Sequence, residues 1–234
     1  MRIDLLKLVY FSPSGTTKKI VEAVSEGLKP HSAEHVDITR PENRKRNLQA
    51  SENELLIIGV PVYFGRVQTA AMEWLSTLKG HNTPVICVVV YGNREYDDAL
   101  LELKDTMLKN GCIPIACAAY IGEHSFSNTK APIAAGRPDA DDLENAKAFG
   151  KKIGGKIASI ASIGEAADIA RAAKRADYFE AGTLVVWDVD PVADQVHKYR
   201  FDAPDQPEVF VRGQEADAEP AVPNWKMSVD AIFA

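Results

Sequence analysis

The chain has 234 residues, 46% hydrophobic and 26% charged, which is enough apolar material for a core and excludes a disordered tail. Its 27 basic and 33 acidic side chains leave a net charge of −6, a poor basis for nucleic-acid binding, which needs Lys and Arg to displace counterions. Cys87, Cys112 and Cys117 are too few for a disulfide framework or a four-thiolate metal site. At roughly 150 residues per domain, the length allows about one and a half domains. No apolar run approaches the roughly 18 residues of a spanning helix, and the charged stretch Met1 to Lys7 predicts no signal peptide. A cytoplasmic globular protein, with neither membrane nor nucleic acid as partner, is expected.

Leu5 to Phe11 is an apolar run of strand formers broken only by Lys7, and Pro13 and Gly15 punctuate it. Ile20, Val21, Val24 and Leu28 then recur at helical spacing, ending at Lys29-Pro30. A weaker strand near His35 to Ile38 precedes the polar segment Arg40 to Asn53, whose Arg44, Lys45 and Arg46 read as a solvated loop or short helix. Leu55 to Val60 is a continuous apolar run that stops at Pro61, as suits a strand buried on both faces. A helix follows from about Thr69 to Leu78. Val85 to Val90 is a second such run, and the helix from about Tyr96 to Lys109 ends at Asn110-Gly111. Ile113 to Tyr120 is a third strand; a long loop, Ile121 to Pro138, leads to a helix capped by Asp139. Cys87 and Cys117 fall in interior strands and Cys112 just before one, so all three read as buried small hydrophobes. His31 and His35 are four apart, but Pro30 argues against a helical metal pair, and no metal site is expected.

Strands alternating with helices predict an α/β fold with a doubly wound five-stranded parallel sheet. Ligands bind such sheets beyond the carboxyl ends of the strands, so the loops after Phe11, Val60, Val90 and Tyr120 are the places to look. The first reads Ser12-Pro13-Ser14-Gly15-Thr16-Thr17 and runs straight into a helix, whose unpaired N–H groups favour an anion. Ser and Thr cap helices in any case, but four hydroxyls in six residues exceed what capping needs. No Gly-Lys-Ser/Thr or Gly-x-Gly-x-x-Gly is present. Pro61-Val62-Tyr63-Phe64-Gly65-Arg66 and Tyr91-Gly92-Asn93-Arg94-Glu95-Tyr96 each put aromatics and a glycine at a strand mouth, as suits a flat ring held between loops.

Phe11 to Thr17 resembles the flavodoxin phosphate loop, and Pro61 to Arg66 and Val90 to Ala99 resemble the two loops that flank the flavin ring. The last of these, with Ile121 to Ser127 and Gly136 to Asp139, is similar to the flavodoxin half of flavodoxin–ferredoxin fusion proteins of anaerobes. The resemblance implies strand order 2-1-3-4-5 and FMN as cofactor. Ser12, Ser14, Gly15, Thr16 and Thr17 would hold its phosphate. Pro61, Val62, Tyr63, Phe64 and Gly65 would line one side of the ring, and Tyr91, Gly92, Asn93 and Tyr96 the other. Gly65 and Gly92 would be the positions where a peptide could reorient toward the ring. The acidic balance would lower a bound flavin's potential. His124 could donate a proton at the flavin edge or to a substrate, or could simply fix its loop by a hydrogen bond.

Residues 1–160 are thus expected to form the flavodoxin-like FMN-binding domain and 161–234 a small C-terminal α/β extension. No cysteine follows Cys117, so no ferredoxin module is present. The extension reads as an Ala-rich helix (Ala166, Ile169, Ala170, Ala173) and short antiparallel strands at Thr183 to Trp187, His197 to Phe201 and Glu208 to Arg212. Gln214 to Glu219 is expected to be mobile, and Trp225 to Phe233 to dock. The extension could cap the flavin or form a homodimer surface, with Trp187, Tyr199 or Trp225 near the ring; or it could only cover a hydrophobic edge. The leading functional expectation is an electron-transfer flavoprotein working with a ferredoxin, another flavoprotein or a small-molecule acceptor. The second is a flavin-dependent oxidoreductase, an NAD(P)H-dependent FMN or quinone reductase. The third is an interaction module without cofactor.

Overall fold

The computed structural model describes residues 1–190 and 193–233. The chain divides into two units, Met1–Ala166 and Ala167–Ala234. In the first, strands β1 (Leu5–Tyr10), β2 (Ala33–Asp37), β3 (Glu54–Tyr63), β4 (Thr83–Tyr91) and β5 (Cys112–Ile121) alternate with helices α1 (Thr16–Leu28), α2 (Thr69–Leu75), α3 (Ala99–Lys109) and α4 (Ala140–Ser159). The strands pair in parallel in the order β2-β1-β3-β4-β5. This is the doubly wound flavodoxin-like order, and the chain reverses direction across the sheet between β1 and β3.

The continuous apolar runs are explained by two cores, one per face. Alternate residues of one strand serve different faces. Val9, Leu56, Ile58, Val60, Val85 and Cys87 pack with Trp74 and Leu75 of α2 and Leu103 and Met107 of α3. Their neighbours Leu8, Leu55, Ile57, Ile86 and Val88 pack with Ile20, Val21 and Val24 of α1 and Ala146 and Ile153 of α4. Lys7, the one break in the first run, lies buried in a 2.5 Å ion pair with Glu54. Burial pushes the Glu54 carboxyl up, yet Lys7 and the Ser51 N–H and hydroxyl outweigh it and hold the group below its ordinary value.

Three expectations for the first unit need correction. β3 does not stop at Pro61 but runs on to Tyr63, because Val62 and Tyr63 fold back to pair with Val67 and Arg66. α3 starts at Ala99 rather than Tyr96, since Asn93 and Asp97 take positive φ (58° and 40°), which the helix cannot accommodate. Cys117 is exposed, whereas Cys87 and Cys112 are buried as expected. Among the described residues β5 pairs with β4 alone, and this edge position opens Cys117 to solvent. The β4–β5 register shifts after Val85–Pro114, so Ile115 is an extra residue in β5; its carbonyl accepts from Lys156 Nζ at 3.0 Å.

Helix α5 (Ile163–Glu180) spans the boundary between the units; the side chains of the apolar stripe Ala166, Ile169, Ala170 and Ala173 expected on it are not among those described. In the second unit β6 (Val185–Asp190), β7 (Gln195–Arg200) and β8 (Ala203–Val211) form an antiparallel sheet, and β9 (Glu215–Ala218) pairs with β10 (Val222–Ser228) before the short α6 (Val229–Ile232). Gln214 to Glu219, expected to be mobile, therefore contains a strand. Ala216 lies in the core with Val196, Phe210 and Val229, and Asp217 binds the buried Lys198 at 2.9 Å. The three aromatics singled out here have partners within the unit. Trp187 donates to the Asp217 carbonyl at 3.0 Å, Trp225 stacks on Trp187 at 5.2 Å, and Tyr199 lies under the Arg175 guanidinium. No helix of the described residues is long and apolar enough to cross a membrane.

Candidate functional site

The loop from β1 to α1 is short and tightly specified. Gly15 takes φ 82°, a left-handed conformation that glycine reaches without strain, and this turns the chain into the first helical N–H groups. The Ser12 hydroxyl accepts from the Lys18 N–H at 3.0 Å, and the Ser12 N–H donates to Thr39 Oγ1 at 2.9 Å. Ser14 Oγ and Thr16 Oγ1 share a hydrogen bond of 3.0 Å. Thr17 is 1% exposed, and its hydroxyl has no hydrogen-bond partner. A buried unpaired hydroxyl costs about 1–3 kcal/mol, so native proteins rarely leave one without cause. The first turn of α1 holds no acidic side chain to oppose an anion. The loop therefore offers free N–H groups, one orphaned donor and the positive end of a 13-residue helix.

Close contacts at three glycines join the four loops into one rim. A side chain at Gly65 would collide with the Asp97 carboxylate, joining the second loop to the third. One at Gly92 would collide with the His124 ring, joining the third to the fourth. At Gly122 it would stand 2.7 Å from Val90 and 3.3 Å from Thr16 Cβ, which brings the fourth loop to the first. The Gly122 N–H also donates to the Tyr91 carbonyl at 2.9 Å.

The expected ring-flanking residues divide between this rim and the layer beneath it. Pro61 is buried in β3 beside Val90, and Val62 packs on the core. Tyr63 and Phe64 are exposed, Phe64 at 96% and with φ 53°. Gly65 follows at φ 75°, so two consecutive positive φ values close the tight hairpin Tyr63 to Arg66. Gly65 is thus already in a glycine conformation, whereas Gly92 is not among the residues with positive φ. In the third loop, the Tyr91 and Tyr96 rings stand 5.4 Å apart at 60°, and Asn93 is exposed.

The hairpin is fixed from below by Glu102 of α3. Its carboxylate accepts from Arg66 Nη2 at 2.8 Å, Arg66 Nε at 3.2 Å and the Val67 N–H at 2.9 Å. Burial pushes the Glu102 carboxyl up, but these bonds outweigh it and hold the group below its ordinary 4.5. A carboxyl lowered on folding stabilises fully above its unfolded value, and the stabilisation is lost as pH falls through the folded value. Glu102→Gln is accordingly expected to lower the urea midpoint at about pH 7, with the gap to the parent closing below about pH 4. A gap unchanged over that range would show that the carboxylate does not hold the hairpin.

His124 does fix its loop. Its Nδ1 accepts from the Phe126 N–H at 3.0 Å, which assigns the neutral ring's proton to Nε2. Phe126, 72% exposed, packs 5.3 Å from the His124 ring. Of the basic residues after β2, Arg44 is committed to the Ile38 and Thr39 carbonyls, each at 2.9 Å. Thr39 was not among the expected site residues, because the weak edge strand β2 drew no attention to the loop that follows it. Asp97 escaped for a different reason, since its role is set by contact with Gly65 and leaves no local pattern.

Residues 7–117 match the family model described as "Flavodoxin domain". The first unit has a flavodoxin-like fold. A search of curated proteins finds no match. Among solved structures, oxidised flavodoxin 1 from Bacillus cereus is similar at 12% identity and a TM-score of 0.47, over 67% of this chain and 99% of that one. Two-electron reduced Megasphaera elsdenii flavodoxin is similar at 14% identity and 0.43, over 63% and 98%. Rubredoxin oxygen:oxidoreductase from Desulfovibrio gigas is similar at 11% identity and 0.47, over 68% of this chain and 37% of that one. In the flavodoxin-like domain, the rim described above occupies the carboxyl edge of the sheet. The concavity lined by Ser51, Glu52, Gly80, His81, Asn82 and Gly111 lies at the opposite, amino edge.

Proposed function

We propose that the flavodoxin-like domain binds FMN and passes electrons to a separate redox partner, a ferredoxin, another flavoprotein or a small acceptor. The observation that carries this reading is the buried, unpartnered hydroxyl of Thr17 at the start of α1. A phosphate oxygen at the helix terminus would take its hydrogen bond, so the residues present fit the group. Ser14, Gly15 and Thr16 would supply the rest of that grip, while Ser12 shapes the loop through Lys18 and Thr39. Tyr63, Phe64 and Gly65 would flank a flat ring on one side, and Tyr91, Gly92, Asn93 and Tyr96 on the other; Pro61 and Val62 support the first group from the core. FMN, when bound, supplies one- and two-electron redox chemistry. His124 holds a proton at Nε2 beside Gly92, and the exposed Phe64 and Phe126 leave apolar surface at the rim for a partner.

The test is the anaerobic absorbance spectrum of the purified chain titrated with FMN, then with NADPH or NADH. The expected result is saturable flavin binding with no bleaching by either nicotinamide. Rapid bleaching would move the assignment to an NAD(P)H-dependent FMN or quinone reductase. Failure to bind FMN would sink both readings and leave an interaction module.

A further inference from the structure

Outside the rim, one pair of nucleophilic side chains is brought together by strand register. Cys87 of β4 and Cys117 of β5 are direct Cα partners. Laterally paired residues of a parallel sheet point to the same face, so both thiols lie on the side of α3. Neighbouring strands stand about 4.8 Å apart, within the roughly 4.4–6.8 Å that the α-carbons of a disulfide span. The one-residue shift at Ile115 creates this register; without it Cys87 would face Ala116. The two members differ in access, Cys117 being exposed on the edge strand and Cys87 buried.

We propose that Cys117 and Cys87 form a redox-active thiol pair, in which a hydroperoxide oxidises the exposed Cys117 and the buried Cys87 closes a cross-strand disulfide. The Cys117 thiolate attacks one peroxide oxygen, the O–O bond breaks, and the departing oxygen takes up the proton released when the thiol ionised and leaves as alcohol or water. The resulting sulfenic acid is attacked by the Cys87 sulfur; its hydroxyl takes the Cys87 proton and leaves as water. Two thiols lose two electrons and one hydroperoxide gains them. The electrostatics favour ionisation of Cys117 first, since the hydrogen bond to Cys117 and burial push the Cys87 thiol up, and Cys87 therefore attacks as the thiol. A hydrogen bond from Cys87 holds the Cys117 thiol below its ordinary value against the effect of burial, and Lys104 of α3 adds to the lowering. Cys112 stays outside the pair, because it is registered with Thr83 and burial pushes its thiol up to about 11. None of this depends on FMN binding.

The full chain, reduced and then treated with stoichiometric hydrogen peroxide, is expected to lose two of its three maleimide-reactive thiols. Tryptic mapping is expected to give peptide 80–94 joined to peptide 110–130, with a mass two hydrogens below their sum. Cys112→Ser should leave the cross-link intact, and Cys87→Ser should leave a Cys117 sulfenic acid that dimedone traps. Peptide 110–130 carries both Cys112 and Cys117, so if a variant does not fold, fragmentation of the linked parent peptides between these two residues decides which one is bridged. Retention of all three thiols, a bridge to Cys112, a bridge between two copies of Cys117, or over-oxidation of Cys117 with Cys87 still free would each overturn the proposal.

Discussion

Replacing Thr17 with valine is expected to raise the stability of the apoprotein while weakening its affinity for FMN. The two effects have one origin. The Thr17 hydroxyl is buried without a partner, so its removal from the apoprotein relieves a desolvation penalty of about 1 kcal/mol or more. In the complex the same hydroxyl would donate to a charged phosphate, an interaction of about 1.5–3 kcal/mol. Its loss corresponds to roughly a 10- to 100-fold rise in Kd. Denaturant unfolding of the apoprotein and fluorescence titration with FMN measure the two halves separately, and Thr17→Ser should keep the affinity within a few-fold. If valine destabilises the apoprotein and leaves FMN binding unchanged, the hydroxyl has a structural role and the phosphate assignment fails.

The second large effect is expected in α4. At Gly150 an added methyl would collide with the Val24 carbonyl oxygen of α1, and at Gly27 one would collide with the Lys147 carbonyl oxygen of α4. The two helices therefore touch backbone to backbone through a pair of glycines, and neither backbone can move aside alone. Gly150→Ala is expected to destabilise the domain by about 1–3 kcal/mol, the usual penalty of overpacking. Gly155, five residues on in the same helix, is exposed, and its added methyl would meet nothing within 4 Å. There alanine is expected to stabilise by about 0.5–1 kcal/mol, because only the helix-propensity term remains. Urea midpoints of the two variants should move in opposite directions; a shared direction would mean that propensity, not the crossing, governs both. FMN affinity should fall with Gly150→Ala as well, if the loop at the start of α1 holds the phosphate as proposed.

The sheet was readable because a strand covered on both faces must be apolar at every position, and Leu55 to Val60 and Val85 to Val90 are. The loop from β1 to α1 drew attention because hydroxyls and a glycine crowd one helix start, and its phosphate role is a proposal that Thr17→Val tests. What escaped depended on neighbours that are remote in sequence. The run holding Cys117 looks as interior as the run holding Cys87, and only the strand order reveals that one of them is at an edge. Pro61 looked like a terminator because it cannot donate to a ladder, yet the chain beyond it pairs with its own return at Val62 and Val67. Gln214 to Glu219, an acidic segment, reads as mobile. Its charges are partly neutralised by Lys198, which also pairs with Glu208 on the adjoining strand, and no local pattern announces that. Thr39 and Asp97 fall in the same class, being defined by what they touch.

The extra residue in β5 has a consequence for the protein in a crowded solution. A ten-residue edge strand would ordinarily be a template on which a second chain could build a ladder and start an aggregate. Here Pro114 has no N–H to offer, and the next residue, Ile115, is bulged with its carbonyl already taken by Lys156. An incoming strand would find its hydrogen-bonding sequence interrupted at two successive positions, within reach of a lysine charge. The irregularity that aligns two cysteines thus also discourages association through this edge.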